Sequence, residues 1–342
     1  MKYALIVILT VLIIIIVVLV IGLMTGSQSF SGGAKAGILF SKNGGENWNF
    51  SEETYKIEVE TMKIGPDSGD ILAGTEENGI WKKEAGEGGW REMNFPALKG
   101  ARVFDVEKYN NSVILAAVFS GKMGRILRLE NNSAQELYFT PLPQYAIFGV
   151  AVHPFNSGIL WAVSSDGGFY ESRDRGENWR AAFRFNEGLV GLVDNPYLAG
   201  RLWVITSKGK IYGTWNAGKS WENLSGGLEK ISGADKIKTL FLDKKTGILY
   251  LGFERGLLKS NNGGKDWQEM SLPLPAGAFP VTAVAVDPNN SAKIFAAAGG
   301  QIYISEDGGF SWRGAVLPVK RLVSAIVIDP KNSDNIYIGL KK

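Results

Sequence analysis

The chain has 342 residues, 45% of them hydrophobic and 21% charged, which is enough apolar material for a large core and excludes a disordered chain. A formal net charge of +3, with basic residues scattered among acidic ones, leaves no electrostatic footprint for nucleic acid. The lack of cysteine removes disulfides, cysteine nucleophiles, cysteine-ligated zinc and a lipoprotein anchor, while 43 glycines and 10 tryptophans point to an all-β repeat architecture of tight turns and small aromatic clusters.

The first element is an apolar run from Ala4 to Met24, broken only by Thr10 and Gly22. As a helix it would be about 31 Å long, which matches the hydrocarbon core and exceeds the apolar region of a cleaved signal peptide. Residues 1–24 therefore read as a transmembrane signal anchor that stays in place, followed by a Gly/Ser-rich tether over 25–36. Lys2 precedes the run and Lys35 is the first charge after it, so the positive-inside rule favours a single-pass protein with the remainder on the extracytoplasmic side.

Residues 37–342 repeat. Six segments end in a tryptophan of common phase: GILFSKNGGENW (37–48), GIWKKEAGEGGW (79–90), GGFYESRDRGENW (167–179), GKIYGTWNAGKSW (209–221), GLLKSNNGGKDW (256–267) and GQIYISEDGGFSW (300–312). A weaker copy, GRILRLENNSAQ (124–135), fills the one double gap with Gln135 in the tryptophan slot, so the spacings become 42, 45, 44, 42, 46 and 45. The 30 residues after Trp312 and the 12 from Gly37 to Trp48 together make one further 42-residue repeat. Each unit reads as four short strands, as in 281–286, 293–298, 301–306 and 311–315, with Gly, Asn, Asp and Pro between them. The expected fold is a single seven-bladed β-propeller whose first blade takes two strands from each end of the chain, which leaves no open edge between first and last blades.

The repeated turn, Ser/Thr-x-Asp-x-Gly-x-x-Trp, resembles the Asp box, or bacterial neuraminidase repeat. Ser172-Asp174-Gly176-Trp179 and Ser305-Asp307-Gly309-Trp312 match it fully. Asn replaces Asp in Ser41-Asn43-Gly45-Trp48, Thr214-Asn216-Gly218-Trp221 and Ser260-Asn262-Gly264-Trp267. The second copy keeps Trp90 but has Ala85 in the Asp slot, and the third has lost the box. In the hairpin between third and fourth strands, the Asp or Asn is expected to accept backbone N–H bonds of its own turn. The Gly supplies positive φ, and the Trp packs between strands or blades. The same slot holds Asp or Asn in every good copy, so the box reads as structural and not as a catalytic or calcium site.

The whole of residues 37–342 most resembles the photosystem II assembly and stability factor family, single seven-bladed Asp-box propellers behind a targeting segment, with turns similar to Ser305 to Trp312. The resemblance implies a binding and assembly role with no cofactor. Its implied basic binding patch has no residue-by-residue match here. Sialidases share the box, but their early Phe-Arg-Ile-Pro segment is missing and the first arginine of this chain is Arg91. A glycoside hydrolase would need two carboxylates roughly 5–9.5 Å apart, and none of the acids is singled out. His153, the only histidine, precedes Pro154 where Asp287 and Asp329 stand in sister repeats, and reads as a turn residue. No phosphate loop, nucleophile elbow or metal-ligand spacing occurs.

The loops joining second to third strands and those joining blades should gather on one face, where a protein partner can bind without disturbing packing. Their charged residues are Glu76, Glu77, Lys122, Asp166, Lys208, Glu254 and Arg255. Lys208 and Arg255, in blades five and six, are the foremost candidates, and Tyr145, Phe148, Phe183 and Phe185 could add aromatic surface. Carbohydrate is the alternative ligand.

Overall fold

Apolar runs of five or six residues punctuated by glycine turns pair with their sequence neighbours as short antiparallel strands. A computed structural model of the chain describes residues 36–65, 68–86, 88–109, 112–274 and 279–342. They form seven four-stranded sheets. Six of the seven blades take their strands consecutively; blade 1 is ordered Asn49–Phe50, Gly37–Ser41, Ile336–Lys341, Leu322–Ile328. Gly37 to Ser41 lies opposite Leu340 to Ile336 in unbroken register, so both ends of the repeat region are held in one blade. The closure expected from the repeat count is therefore observed.

The first strands of the blades are Val59–Ile64, Arg102–Lys108, Ile147–Val152, Leu189–Asp194, Ile237–Leu242, Val281–Val286 and, in blade 1, Leu322–Ile328. Each touches the first strand of the next blade, and the last touches Val59–Ile64, which closes a ring around a channel. Second strands such as Leu160–Ser164, Leu202–Thr206 and Leu249–Phe253 are buried throughout, because sheets face both ways in a blade stack.

The core consists of seven clusters, one between each pair of adjacent blades. A box tryptophan packs against six of them: Trp48 between blades 7 and 1, Trp90 between 1 and 2, Trp179 between 3 and 4, Trp221 between 4 and 5, Trp267 between 5 and 6, and Trp312 between 6 and 7. Each ring thus fastens its own blade to the preceding one. The exception is the seam between blades 2 and 3, where Gln135 occupies the slot and Ala134 and Met93 flank the cluster.

Helix among the described residues is limited to three single 3-10 turns, and none is long and apolar enough to cross a membrane. The anchor expected at 1–24 and residues 25–35 of the tether lie outside the described residues.

Candidate functional site

The ring has two faces of different chemistry. One carries the Asp boxes and the loops between first and second strands. The other carries the second-to-third turns and the blade-to-blade links.

On the box face, five boxes share one hydrogen-bond network, and its centre is the Ser/Thr hydroxyl. That oxygen, on residues about 1% exposed, accepts the Gly N–H four residues on: 2.9 Å for Ser41–Gly45, 2.7 Å for Ser172–Gly176, 3.1 Å for Thr214–Gly218, 2.9 Å for Ser260–Gly264 and 2.8 Å for Ser305–Gly309. The hydroxyl donates in turn to Oδ1 of Asn43, Asp174, Asn216, Asn262 or Asp307 at 2.8–3.0 Å. The same Oδ1 accepts the N–H four residues further along, in Asn47, Asn178, Ser220, Asp266 and Ser311. The sequence reading assigned roles to the acid, the glycine and the tryptophan; the buried hydroxyl was the part it missed, although the Ser/Thr is invariant in the five good copies.

The network explains why Asn serves as well as Asp. Only Oδ1 is needed by the backbone, and the second atom finds a local partner of either polarity. Asp174 Oδ2 accepts from Asn178 Nδ2 at 2.7 Å, whereas Asn262 Nδ2 donates to Asp266 at 2.8 Å. Bonds from Asn178 in one box and from Ser311 in the other hold the Asp174 and Asp307 carboxyls down to about 2. An acid so held is a structural acceptor with no proton to give near neutrality. The box glycines have φ between 80° and 96°, and a Cβ on Gly218 would lie 2.2 Å from Phe169 of the preceding blade.

Blades 2 and 3 solve the same turn differently. Lys83 stands in the hydroxyl slot and donates to the Gly86 and Gly88 carbonyls at 3.1 and 2.7 Å, while Asp70 accepts the Ala85 N–H. Blade 3 replaces the box with a two-residue hairpin, Asn131 and Asn132 at φ 48° and 61°, a combination that matches the twist of the flanking strands. His153 is a turn residue, its Nδ1 accepting the Phe155 N–H at 3.2 Å.

On the loop face, every first strand is bulged at its second or third residue, placing Glu60, Phe104, Phe148, Val190, Lys238, Thr282 and Ser324 at the rim of the channel. Several of these side chains reach to the next blade. Glu60 pairs with Arg102 at 2.7 Å, Phe104 packs on Phe148 with centroids 4.5 Å apart, and Thr282 donates to the Val323 carbonyl at 2.7 Å. The Arg102 guanidinium also covers the Phe104 ring at 4.9 Å. The rim therefore carries an apolar arc over blades 3 to 5, bounded by Glu60 on one side and Lys238 on the other.

Not all of the residues expected to face a partner are open. Asp166 is spent internally: Gly168 N–H, Tyr170 and the Arg184 guanidinium bond to it at 3.0–3.2 Å, as does Ser164 Oγ. Glu254 pairs with Lys238 at 3.0 Å. Glu76 lies 3.9 Å from Arg102 and hydrogen-bonds Glu58, which raises its carboxyl pKa and, with Lys342, lowers that of Glu58. Glu77, Lys122, Lys208 and Arg255 are exposed, with Arg255 donating to Ser232 at 2.9 Å. Among the described residues no bond joins Lys208 to Arg255. Phe183 and Phe185 pack on Trp221 and Phe185 is buried, so they belong to the core; Phe148 belongs to the rim.

The channel holds one charged cluster that the sequence reading did not find. Lys63 Nζ lies 3.0 Å from Asp105 and 2.7 Å from Glu107. Burial opposes the ammonium, yet Asp105, Glu107 and Asp194 together hold its pKa above the ordinary value. Burial pushes the Asp105 and Asp194 carboxyls up, and Glu107 adds to both shifts. Asp194 is in blade 5 and Glu107 in blade 3, so their interaction crosses the channel. Asp105 also accepts the Val150 N–H at 3.1 Å, which ties blade 3 to blade 4. Among the described residues no group of His, Asp and Glu is arranged to hold a metal ion.

Residues 201–340 match the family model described as Photosynthesis system II assembly factor YCF48. The chain is an Asp-box propeller, and over that stretch it is similar to the assembly-factor family that the sequence indicated. YCF48 from Cyanidioschyzon merolae superposes with a TM-score of 0.64 at 16% identity, covering 83% of this chain and 96% of that one. A structure of YCF48 bound to D1 peptide gives a TM-score of 0.62 at 16% identity over 84% and 93%. The GH74 xyloglucanase from Xanthomonas campestris gives 0.68 at 19% identity, covering 83% of this chain but 51% of that enzyme, so the chain spans about half of its length. Identities this low carry the fold alone. No curated protein sequence matches the chain.

Proposed function

We propose that this chain is a non-catalytic propeller, anchored by residues 4–24 on the extracytoplasmic side of a membrane, that captures a segment of a protein partner on its loop face. The observation that carries this reading is the division of labour between the faces. The box face spends the Ser/Thr and Asp/Asn groups of its five good boxes on their own turns. The loop face leaves Lys122, Lys208, Arg255 and Glu77 exposed on the same face as the Phe104–Phe148 arc. Rigid apolar surface next to open charges is what a peptide with acidic side chains requires. The family match over 201–340 and the fold shared with a protein solved bound to D1 peptide support the same reading.

The hydrolase alternative rests on the fold shared with xyloglucanase. It needs two carboxylates about 5–9.5 Å apart around a sugar. Glu58 and Glu76 on the loop face interact with each other, and Lys342 lies 2.9 Å from Glu58 and Arg102 3.9 Å from Glu76, so neither carboxyl stands free to face a sugar.

Crosslinking and pull-down from native membranes, with residues 1–35 retained, tests the proposal. Wild type should capture a specific protein and remain in the membrane pellet after alkaline extraction. Lys208→Ala/Arg255→Ala should lose the partner while keeping the wild-type melting curve. Recovery of the same partner by the double variant at unchanged yield would overturn the site, and release of the full chain by alkali would overturn the anchor.

A further inference from the structure

The box face carries a feature that the turns do not require. Between blades 5 and 6 lies an open cleft of about 730 Å³, within the range of small-ligand sites. Its walls are Tyr197 and Arg201 from the first loop of blade 5, Trp215 from the blade-5 box, and Lys244 and Lys245 from the first loop of blade 6. Three cations line the cleft and no carboxylate does. Lys245 donates to the Asn289 carbonyl at 2.9 Å; Arg201 and Lys244 are exposed and have no ion pair among the described residues. The nearest acids are engaged elsewhere. Asp243 is buried and bonded by Lys245 N–H and Thr246, and Asp266 is bonded by Asn262. Asp194, at the channel side, feels Lys244 but does not line the cleft.

The two aromatic residues are the second, independent observation. Tyr197 is 62% exposed and Trp215 38%, and neither is demanded by its turn. The residues in the Trp215 position of the other good boxes are Lys42, Arg173, Asn261 and Glu306, and those in the Tyr197 position of three sister loops are Phe155, Asn289 and Lys331. Of these blades, only blade 5 combines an aromatic residue in the loop with one in the box. The outer edge of the Trp215 ring lies close to the two box turns, since a Cβ on Gly213 would meet it at 3.0 Å and one on Gly263 at 3.6 Å, and Lys265 Nζ sits over one face of the ring, 5.6 Å from its centroid. Exposing two such rings costs hydrophobic free energy, and the exposed Tyr197 ring and the remaining face of Trp215 are open to a ligand with apolar C–H faces.

We infer that this cleft binds an acidic oligosaccharide, with pyranose rings stacked on Trp215 and Tyr197 and their acidic groups paired with Arg201 and Lys244. The cations select an anion by charge complementarity. The aromatic faces select repeating units that present apolar C–H faces over an extended peptide, which would seek a free strand edge, and the cleft is built from loops. The overall charge of +3 disfavours a long polynucleotide. The site is on the face opposite to the proposed partner surface, so the two stand or fall separately.

Titration of the full chain in detergent, by calorimetry or ligand-observed NMR, tests this with tetragalacturonate, neutral cellotetraose and a tetraglutamate peptide. Tetragalacturonate should bind, more weakly as salt is raised, and cellotetraose should not. Trp215→Ala and Arg201→Gln should each weaken binding by about tenfold or more, a change of about 1.4 kcal/mol. Arg255→Gln, on the other face, should leave it unchanged, and both cleft residues are exposed enough for their variants to keep the wild-type melting curve. The inference is overturned if tetragalacturonate fails to bind, if the peptide binds as tightly, if cellotetraose binds equally, or if both cleft variants bind as wild type does.

Discussion

The sharpest consequence of the box geometry is that a serine hydroxyl matters more than the acid for which the motif is named. Consider Ser305→Ala in blade 7. The change removes the acceptor of the Gly309 N–H at 2.8 Å and the donor to Asp307 at 2.8 Å, at a residue 1% exposed. An orphaned buried N–H costs about 1–3 kcal/mol; Gly309 is half-buried, so the lower part of that range applies here, and the methyl that remains recovers nothing. Asp307→Asn keeps the Oδ1 acceptor for Ser305, Phe310 and Ser311, as Asn already does at positions 43, 216 and 262, and should cost under ~1 kcal/mol. Urea unfolding followed by tryptophan fluorescence reads the difference. With a slope at or above ~3 kcal/mol/M, Ser305→Ala should lower the midpoint by an amount in the lower part of about 0.3–1 M. Ser172→Ala should behave alike. A midpoint unmoved by either serine change, or an Asp307→Asn variant as damaged as Ser305→Ala, would refute the assignment of the hydroxyl as the centre of the turn.

Two further outcomes follow from the charged groups. The Asp174 and Asp307 carboxyls titrate at about 2 when folded, against an ordinary 3.8, so their contribution is complete above 3.8 and is lost as pH falls through about 2. Asp174→Asn/Asp307→Asn should therefore flatten the acid limb of the stability profile, measured as urea midpoint against pH; an acid limb as steep as wild type would count against it. In the channel, Lys63→Met leaves Asp105 and Glu107 without their shared cation. A fully buried pair broken in this way costs about 3–5 kcal/mol, but the Lys63 side chain is 36% exposed to channel water, so about 1–2 kcal/mol is expected. Adding Glu107→Gln should restore part of that loss in a double-mutant cycle, and strict additivity would show that the three groups do not act as one cluster.

The sequence by itself determined the number of blades, the phase of each box and the sharing of blade 1 between the chain ends. These are properties of a repeat, in which the same local pairing is written seven times and the leftover pieces must complement each other. It also placed the box glycines at positive φ and the box tryptophans between elements, because a tight turn and a large flat side chain each have one economical use there. Only the tertiary structure decided what adjacent blades bring together. The rim bulges at Glu60, Phe104 and Phe148 are shifts of backbone register that leave no mark in the alternation of apolar residues. Asp166 looked open in the chain and is closed by Arg184, a partner from its own outer strand. Lys63, Asp105, Glu107 and Asp194 meet because first strands of different blades share one channel, and Tyr197, Trp215 and Lys244 meet because loops of blades 5 and 6 share one seam. Such meetings depend on how whole sheets are rotated about the ring, and a one-dimensional period carries no information about which side chains that rotation will oppose.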